Sequence, residues 1–170
     1  MVVESLDAVQ AHSAVPQLVD LLHDAVASGA SVGFLPPLNH AEARSYWQGV
    51  VTALQGQSRF LLVARQDHQI IGTVQLDLAR QPNGLHRAEV LKLIVHSSAR
   101  RHGIGRALMR GVDEVARENG RTLLILETRC GDAAEQLYRV CGYIAFGVVP
   151  KYALGADGEL HDAVFFYRAL

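Results

Sequence analysis

The sequence from Val95 to Arg106 is VHSSARRHGIGR, and it lies between an apolar segment and a long amphipathic segment. Gly103 and Gly105 begin the amphipathic segment, and arginines surround them. The first backbone N–H groups of a helix have no partner within the helix, and glycine lets an anion approach them closely. The helix dipole and the arginines favour negative charge there. The stretch therefore predicts a strand–loop–helix unit that binds a pyrophosphate.

Two common nucleotide-binding patterns do not fit this stretch. A dinucleotide fingerprint requires a third glycine at position 108, where the chain has Leu108. A nucleoside triphosphate loop requires Gly-Lys-Ser or Gly-Lys-Thr, and the only lysines are Lys92 and Lys151. A glycine-rich turn with solvated arginines stays an alternative, although the strand before it and the helix after it favour a phosphate site.

Hydrophobic periodicity around this unit predicts two helices at the start of the chain and a series of strands after them. Ser13 and Asn39 are expected to cap these helices, and Pro16 fits the first turn of the first one. The predicted helices are 13–28, 40–55, 103–118 and 133–140, and the predicted strands are 60–64, 70–78, 89–95, 122–126, 143–149 and 164–167, with a short opening strand near 2–3 as an option.

The order of these elements predicts the fold. Three antiparallel strands follow the first two helices, and a β-α-β crossover then joins 89–95 to 122–126 as a parallel pair. The run 122–126 is nearly all apolar, which is typical of a strand covered on both faces. We therefore expect an α+β fold with a mixed, mostly antiparallel central sheet of about six to seven strands, flanked by about four helices.

Composition limits the class of protein. The 170 residues suit a single domain spanning 1–170, with 49% hydrophobic and 19% charged residues. Lys+Arg number 16 and Asp+Glu number 17, and the net charge of −1 disfavours a nucleic-acid-binding protein. No targeting or membrane segment is visible, so we expect a cytoplasmic protein in which Cys130 and Cys141 are reduced.

Two motifs, taken together, resemble the GNAT superfamily of N-acetyltransferases. Arg100-x-x-Gly103-x-Gly105 after an apolar strand is similar to its acetyl-CoA signature, and the block 134–143, AEQLYRVCGY, is similar to its A-x-x-L-Y-x-x-x-G-[FY] motif. The resemblance implies the GNAT-type fold, with a splayed parallel pair, and acetyl-CoA as cosubstrate. The residues expected to bind the cosubstrate are Leu93, Ile94, Val95, Arg100, Arg101, His102, Gly103, Ile104, Gly105 and Arg106.

The same resemblance implies how the donor is held. The strand 89–95 would diverge from 122–126, and the pantetheine arm would lie in the gap, hydrogen-bonded to main chain around Leu93 to Val95. A backbone N–H there would polarise the acetyl carbonyl. Many family members carry asparagine where this chain has Gly131, so that side-chain contact is not assigned.

Acetyl transfer to an amine needs a base and an acid. An alkylammonium with a pKa near 10 is only about one part in a thousand neutral at pH 7, so losing its proton costs roughly 4 kcal/mol. Glu89 and Glu127 lie at the ends of neighbouring predicted strands, and partial burial would raise a carboxylate pKa toward a useful range. The alternative is that Glu89 and Glu127 are solvated or ion-paired surface charges.

The resemblance implies that Tyr138 is the acid that protonates the CoA thiolate. The alternative is that Tyr138 only packs in the core.

Three further segments resemble the tabtoxin-resistance acetyltransferases: 29–34 (GASVGF), 81–90 (QPNGLHRAEV) and 157–161 (DGELH). Those enzymes acetylate a toxin derived from a β-lactam dipeptide. Acids at the positions of Glu89 and Glu127 have proposed base or substrate-binding roles in them. Position 127 differs in detail, because those relatives carry aspartate there.

We predict an N-acetyltransferase that passes the acetyl group directly to an amine of a small molecule, with an amino-acid-like or β-lactam toxin or antibiotic as candidate acceptor. A non-catalytic acyl-CoA-binding module would keep 100–105 but would not need Glu89, Glu127 or Tyr138. An acetyltransferase for proteins or peptides is a further alternative.

The eight histidines lack the spacing of a metal site, so no metal is expected. Neither nucleic acid nor a membrane is expected as a partner, and a homodimer stays open.

Overall fold

One mixed sheet and four helices make up the fold, and the computed structural model describes the whole chain, residues 1–170. In chain order, the elements are β1 (Val2–Leu6), α1 (Ala8–Ala27), α2 (His40–Gln55), β2 (Arg59–Gln66), β3 (Gln69–Leu78), β4 (Arg87–Val95), α3 (Ile104–Glu118), β5 (Leu123–Arg129), α4 (Ala133–Val140), β6 (Ile144–Leu154) and β7 (Leu160–Ala169).

The strand order in the sheet is β1-β2-β3-β4-β5-β7-β6. Every neighbouring pair is antiparallel except β4 and β5, which the crossover through α3 joins in parallel. The α+β class, the mostly antiparallel sheet of seven strands, the one parallel pair and the four helices confirm the expectation from the sequence.

Each face of the sheet is covered by two helices. Alternate residues of β2 show the division: Leu61 and Val63 pack with α1 and α2, whereas Leu62 and Ala64 pack with α3. Trp47 of α2 is fully buried in the first cluster, and Phe166 of β7 is fully buried in the second. Burial of each such aromatic side chain contributes about 1.5–3 kcal/mol or more relative to an exposed position.

The parallel pair is short, and its two strands then separate. Only Arg87–Glu89 of β4 pair with Leu123–Ile125 of β5. Beyond these residues β4 keeps its hydrogen-bonded neighbour β3, and β5 keeps its neighbour β7. The facing edges of β4 and β5 therefore carry unpaired backbone groups at their carboxyl ends. This splay was expected from the family resemblance, and it opens the sheet in its middle.

A β-bulge lies in β4 just after the strands separate. Lys92 and Leu93 together oppose one residue of β3, because the register shifts between Thr73 and Gln75. Lys92 has a φ of 51°, in the left-handed region that non-glycine residues rarely adopt. The bulge reverses the alternation of the strand, so that Val90 packs on the α3 side and Ile94 packs on the α1 and α2 side.

The start of α1 differs from the sequence prediction, which was Ser13. The helix begins at Ala8 after an N-cap at Asp7, whose carboxylate accepts from the Gln10 N–H at 2.8 Å. The Gln10 side chain in turn accepts from the Asp7 N–H at 3.0 Å, which completes a capping box. Pro16 consequently lies inside the helix, on its exposed side, where water can satisfy the carbonyl that loses its partner.

The last two strands are longer than predicted. β6 continues to Leu154, whereas the sequence predicted its last residue at 149. β7 begins at Leu160, whereas the sequence predicted its first residue at 164. β6 is an edge strand with most of its residues exposed, so it lacks the alternation that periodicity detects. Pro150 fits there because an edge strand does not need every N–H for pairing.

None of the four helices has the length and apolarity that crossing a bilayer requires.

Replacement of Asp7 by alanine is expected to lower the free energy of unfolding by about 1 kcal/mol, because it removes the carboxylate that accepts from the Gln10 N–H. Ser13→Ala is the control, since Ser13 lies inside the helix and its hydroxyl only donates back to the Val9 carbonyl. Its effect is expected within about 0.5 kcal/mol. Urea denaturation followed by circular dichroism measures both. A larger loss of unfolding free energy in Ser13→Ala than in Asp7→Ala would contradict the assignment of Asp7 as the N-cap of α1.

Candidate active site

A cleft of about 790 Å³ lies where β4 and β5 separate. Its walls come from the end of β4 and the loop after it, the start of α3, the end of β5, α4 and the loop after α1. The predicted cosubstrate-binding residues on its wall are Leu93, Ile94, Val95, Arg100, Arg101, Gly103, Ile104, Gly105 and Arg106. His102 is the one member of that set that does not line the cleft; it is exposed, and its ring nitrogen bonds to the Arg100 carbonyl at 2.8 Å.

Unpaired amides meet the cleft at the start of α3. The first hydrogen bond of the helix runs from the Ala107 N–H to the Gly103 carbonyl at 3.0 Å. The N–H groups of Ile104, Gly105 and Arg106 therefore donate to no protein atom. Together with the helix dipole they form a site suited to an anion.

The two glycines of this turn serve different purposes. Gly103 caps α3 with a φ of 80°, and a Cβ placed there would meet no atom within 4 Å, so the space beside it is open. A Cβ at Gly105 would lie 2.8 Å from Cδ2 of Leu137. Gly105 thus allows α3 and α4 to pack closely, whereas Gly103 supplies the turn and the room for a ligand.

The loop before α3 is fastened to the end of α1. The Asp24 carboxylate accepts from the Ser97 N–H at 2.7 Å and from the Ser97 hydroxyl at 2.6 Å. Arg100 donates from Nε to the Val95 carbonyl at 3.1 Å and from Nη2 to the Ser28 hydroxyl. The Arg100 guanidinium is thus already engaged in holding the loop in place.

Arg101 and Arg106 differ from Arg100 in this respect. Both are exposed, both line the cleft, and neither forms an ion pair with a carboxylate of the chain. Their guanidinium groups are therefore free to meet an anion held at the start of α3.

The two predicted carboxylates share one face of the sheet. Leu124 and Leu126 pack on the α3 side, so Glu127 projects on the opposite side, as does Glu89 beside Ile125. Both side chains are exposed, but only Glu127 lines the cleft. Neither forms an ion pair, so the alternative of pairing with a neighbouring cation does not describe them.

The Glu127 carboxyl has a raised pKa. The walls of the cleft remove part of its hydration, which is the largest cause, and the negative charge of Glu89 adds to it. The ammonium group of Lys92 acts in the opposite direction. Glu89 therefore influences the cleft through its charge, although its side chain is not on the wall.

Tyr138 of α4 lies at the other side of the cleft. It is only 6% exposed, with its ring centroid 5.9 Å from that of Tyr143 and 6.0 Å from that of Phe166. Burial raises the pKa of its hydroxyl, and the charge of Glu127 raises it further. The residue lines the cleft. Tyr138 is thus both a core residue and a protonated hydroxyl at the cleft wall.

Sequence reasoning assigned no role to several residues of the wall. Lys92 lies there because of the bulge, for which β4 gives no sequence signal. Arg129 spans the end of the cleft, with Nε 2.9 Å from Oδ1 of Asp132 and Nη2 3.4 Å from the Gly29 carbonyl. These contacts join α4 to the loop after α1 and could not be inferred from residues a hundred positions apart.

Solved structures of the same fold include several N-acetyltransferases. The ribosomal-protein-alanine N-acetyltransferase of Brucella melitensis superposes with a TM-score of 0.82 at 23% identity, over 100% of both chains. The structure of yncA from Salmonella typhimurium, with its cofactor acetyl-CoA, superposes with a TM-score of 0.80 at 18% identity, over 100% of this chain and 94% of that one. At these identities the likeness establishes the fold.

Sequence comparison places the protein within a family. The model of the acetyltransferase (GNAT) family matches residues 23–143, and the chain belongs to that family. An uncharacterized N-acetyltransferase in the hisH-hisA intergenic region of Azospirillum brasilense is 34% identical over 114 residues, 66% of each chain. The chain thus spans slightly less than two thirds of that relative. The superfamily resemblance and the expected class of acyltransferase are confirmed, and the narrower resemblance to the tabtoxin-resistance enzymes stays a prediction.

Glu89→Gln is expected to lower the pKa of the Glu127 carboxyl, because it removes a negative charge that favours the protonated form. Nuclear magnetic resonance titration of the glutamate carboxyl carbons measures the shift. Glu118→Gln, at the exposed end of α3, is the matched control and should leave the Glu127 titration unchanged. An identical Glu127 pKa in the Glu89 variant and the wild type would refute the coupling.

Proposed function

We propose that this protein, as one domain spanning 1–170, transfers the acetyl group of acetyl-CoA to an amine of a small molecule. The observation that carries the proposal is the cleft itself, which runs from the unpaired amides at the start of α3 to the Glu127 carboxylate. Membership of the acetyltransferase family supports it, as does the cofactor acetyl-CoA in the yncA structure.

The donor is proposed to bind along one wall. Its pyrophosphate would accept from the N–H groups of Ile104, Gly105 and Arg106 and would be neutralised by the guanidinium groups of Arg101 and Arg106. The pantetheine amides would pair with the free edge of β4 at 93–95, which has no strand neighbour on that side. A backbone N–H of that edge would hydrogen-bond to the acetyl oxygen as negative charge develops on it.

Glu127 is proposed as the base. A raised carboxyl pKa brings it closer to that of an alkylammonium while the group stays ionised at higher pH. Because the base must be deprotonated, kcat/KM should rise with pH through the pKa of Glu127. Glu89 would act on the reaction through its charge, which raises that pKa. Of the two carboxylates, only Glu127 lines the cleft, which favours it as the group that takes the proton.

Tyr138 is proposed as the acid. The amine nitrogen would bond to the acetyl carbon, the carbon–sulfur bond would break, and the thiolate would take the Tyr138 proton. Burial keeps that proton on the hydroxyl until the thiolate forms. Cys130 and Cys141 do not line the cleft, so neither thiol is placed to form an acetyl-enzyme, and direct transfer in a ternary complex is favoured.

The acceptor is proposed to be an amino-acid-like compound or a β-lactam toxin or antibiotic. This part rests on the three segments that resemble the tabtoxin-resistance acetyltransferases. Gly33 in the first of them lines the cleft, and Phe34 lines an adjoining cavity of about 240 Å³.

We propose that the reaction takes place in the cytoplasm, where free thiols such as Cys130 and Cys141 persist.

Gly103→Val is expected to weaken CoA binding by about 10- to 100-fold, because the side chain would fill the space beside the amides and keep the pyrophosphate from them. Isothermal titration calorimetry with CoA measures the Kd. Gly120→Val is the matched control: Gly120 has a φ of 69° and equally open surroundings, but it lies beyond the far end of α3. Equal affinities for the two variants would show that α3 does not hold the pyrophosphate.

Tyr138→Phe is expected to lower kcat about 10- to 100-fold with little change in the Kd for CoA, because the ring stays packed while the proton is lost. Release of CoA from acetyl-CoA, measured with an accepted amine, gives kcat. Tyr143→Phe is a useful control, since Tyr143 packs beside Tyr138 and is absent from the cleft wall. An unchanged kcat would remove Tyr138 as the acid.

The proposed function as a whole is tested by calorimetry with acetyl-CoA and by turnover on a panel of amines, amino acids, β-lactams and alanine-terminated peptides. Binding with turnover on small amines supports it. Binding without turnover on any member would identify an acyl-CoA-binding module. Turnover on peptides alone would identify a peptide acetyltransferase.

A further inference from the structure

Lys92 is an unpartnered cation inside the cleft. It is one of only two lysines in the chain, and it lies half-buried in the middle of β4. Its Nζ donates to no protein atom and has no carboxylate within 4.0 Å. Burial lowers its pKa, and the charges of Glu127 and Glu89 offset part of that effect. Lysines withdrawn from water are usually paired, so this position calls for a partner from outside the chain.

The bulge is what brings the ammonium group to this place. Without the extra residue, Lys92 would follow Val90 onto the α3 side, where the core is apolar. With a φ of 51° it instead turns to the side of Glu89 and Glu127. Strained backbone of this kind persists where the surrounding structure requires it, and it is concentrated at ligand-binding sites.

Gly33 of the opposite wall lets the Lys92 ammonium group lie close to the loop after α1. A Cβ at that position would come within 3.2 Å of Nζ. The φ of Gly33 is 83°, so a side chain is disfavoured there on conformational grounds as well. Lys92 and Gly33 both line the cleft, so an acceptor bound in the cleft can reach Nζ beside the loop after α1.

We propose that Lys92 binds a carboxylate of the acceptor while Glu127 receives the proton of its amine. Away from the arginines at the start of α3, the cleft then presents Lys92 as a free cation and Glu127 as a free anion on the same face of the sheet, which complements a zwitterion. The acceptor class is accordingly an amine that carries a carboxylate, such as an amino acid or a short peptide-like compound. This inference rests on the proposed function and adds the group that selects the substrate.

The test compares matched acceptors in the wild-type protein. The panel consists of L-amino acids, the amides of the same amino acids and the amines left after loss of the carboxylate. Loss of one charge-assisted contact predicts kcat/KM about 10- to 100-fold higher for the best amino acid than for its amide or amine. Equal or better turnover of the carboxylate-free compounds would overturn the inference and leave the proposed function standing.

Variants identify Lys92 as the group responsible. Lys92→Met should lower kcat/KM for the amino acid about 10- to 100-fold more than it lowers kcat/KM for the matched amide, whereas Lys92→Arg should retain the preference for the carboxylate. Lys151→Met is the matched control, because Lys151 has a φ of 52° in a bulged strand but is exposed and absent from the cleft wall.

Three results separate the outcomes. An equal loss for the amino acid and its amide in Lys92→Met would show a structural role only and overturn the inference. A preference lost equally in Lys151→Met would place the selection elsewhere and also overturn it. No transfer to any compound, although acetyl-CoA binds, would overturn the proposed function itself and this inference with it.

Discussion

The separation of β4 from β5 is the constraint on which the rest of the structure depends. Three residue pairs hold the strands in parallel, and beyond Glu89 each strand pairs only with its other neighbour. Backbone groups that a closed sheet would satisfy are therefore left facing each other across a cleft. Such groups are costly when buried without partners, and a ligand with its own amide and carbonyl groups can satisfy them. The gap in the sheet therefore offers a row of backbone donors and acceptors to an extended ligand that carries amide groups.

The bulge in β4 decides which charges face that cleft. It places Lys92 on the face that already carries Glu89 and Glu127, at the point where the strand has just lost its parallel neighbour. Because the cleft walls exclude part of the solvent, each charge alters the protonation of the others more than it would on an open surface. The raised pKa of Glu127 and the lowered pKa of Lys92 are two consequences of this one arrangement.

Much of the fold followed from local sequence patterns. α2 begins and ends where its periodicity and its capping residue Asn39 predicted, and α4 spans the predicted 133–140. α1 starts five residues earlier than Ser13. The prediction took Pro16 as a residue of the first turn, whereas the capping box at Asp7 begins the helix and leaves Pro16 in its interior. β6 and β7 extend beyond their predicted ends because pairing with each other, and not alternation, sets their length.

The sequence by itself determined the turn and the unpaired amides at the start of α3, which are proposed to bind an anion. Consecutive residues make a strand end, a basic loop and a glycine turn, and unpaired amides follow from helix geometry alone. Only the tertiary structure decided that Lys92 and Glu127 share a face, that Arg100 holds the loop to α1, and that Tyr138 reaches the same cleft. These relations depend on the strand register, a one-residue bulge and contacts between distant segments. No local pattern encodes them, because a shift of one residue would send each side chain to the opposite face.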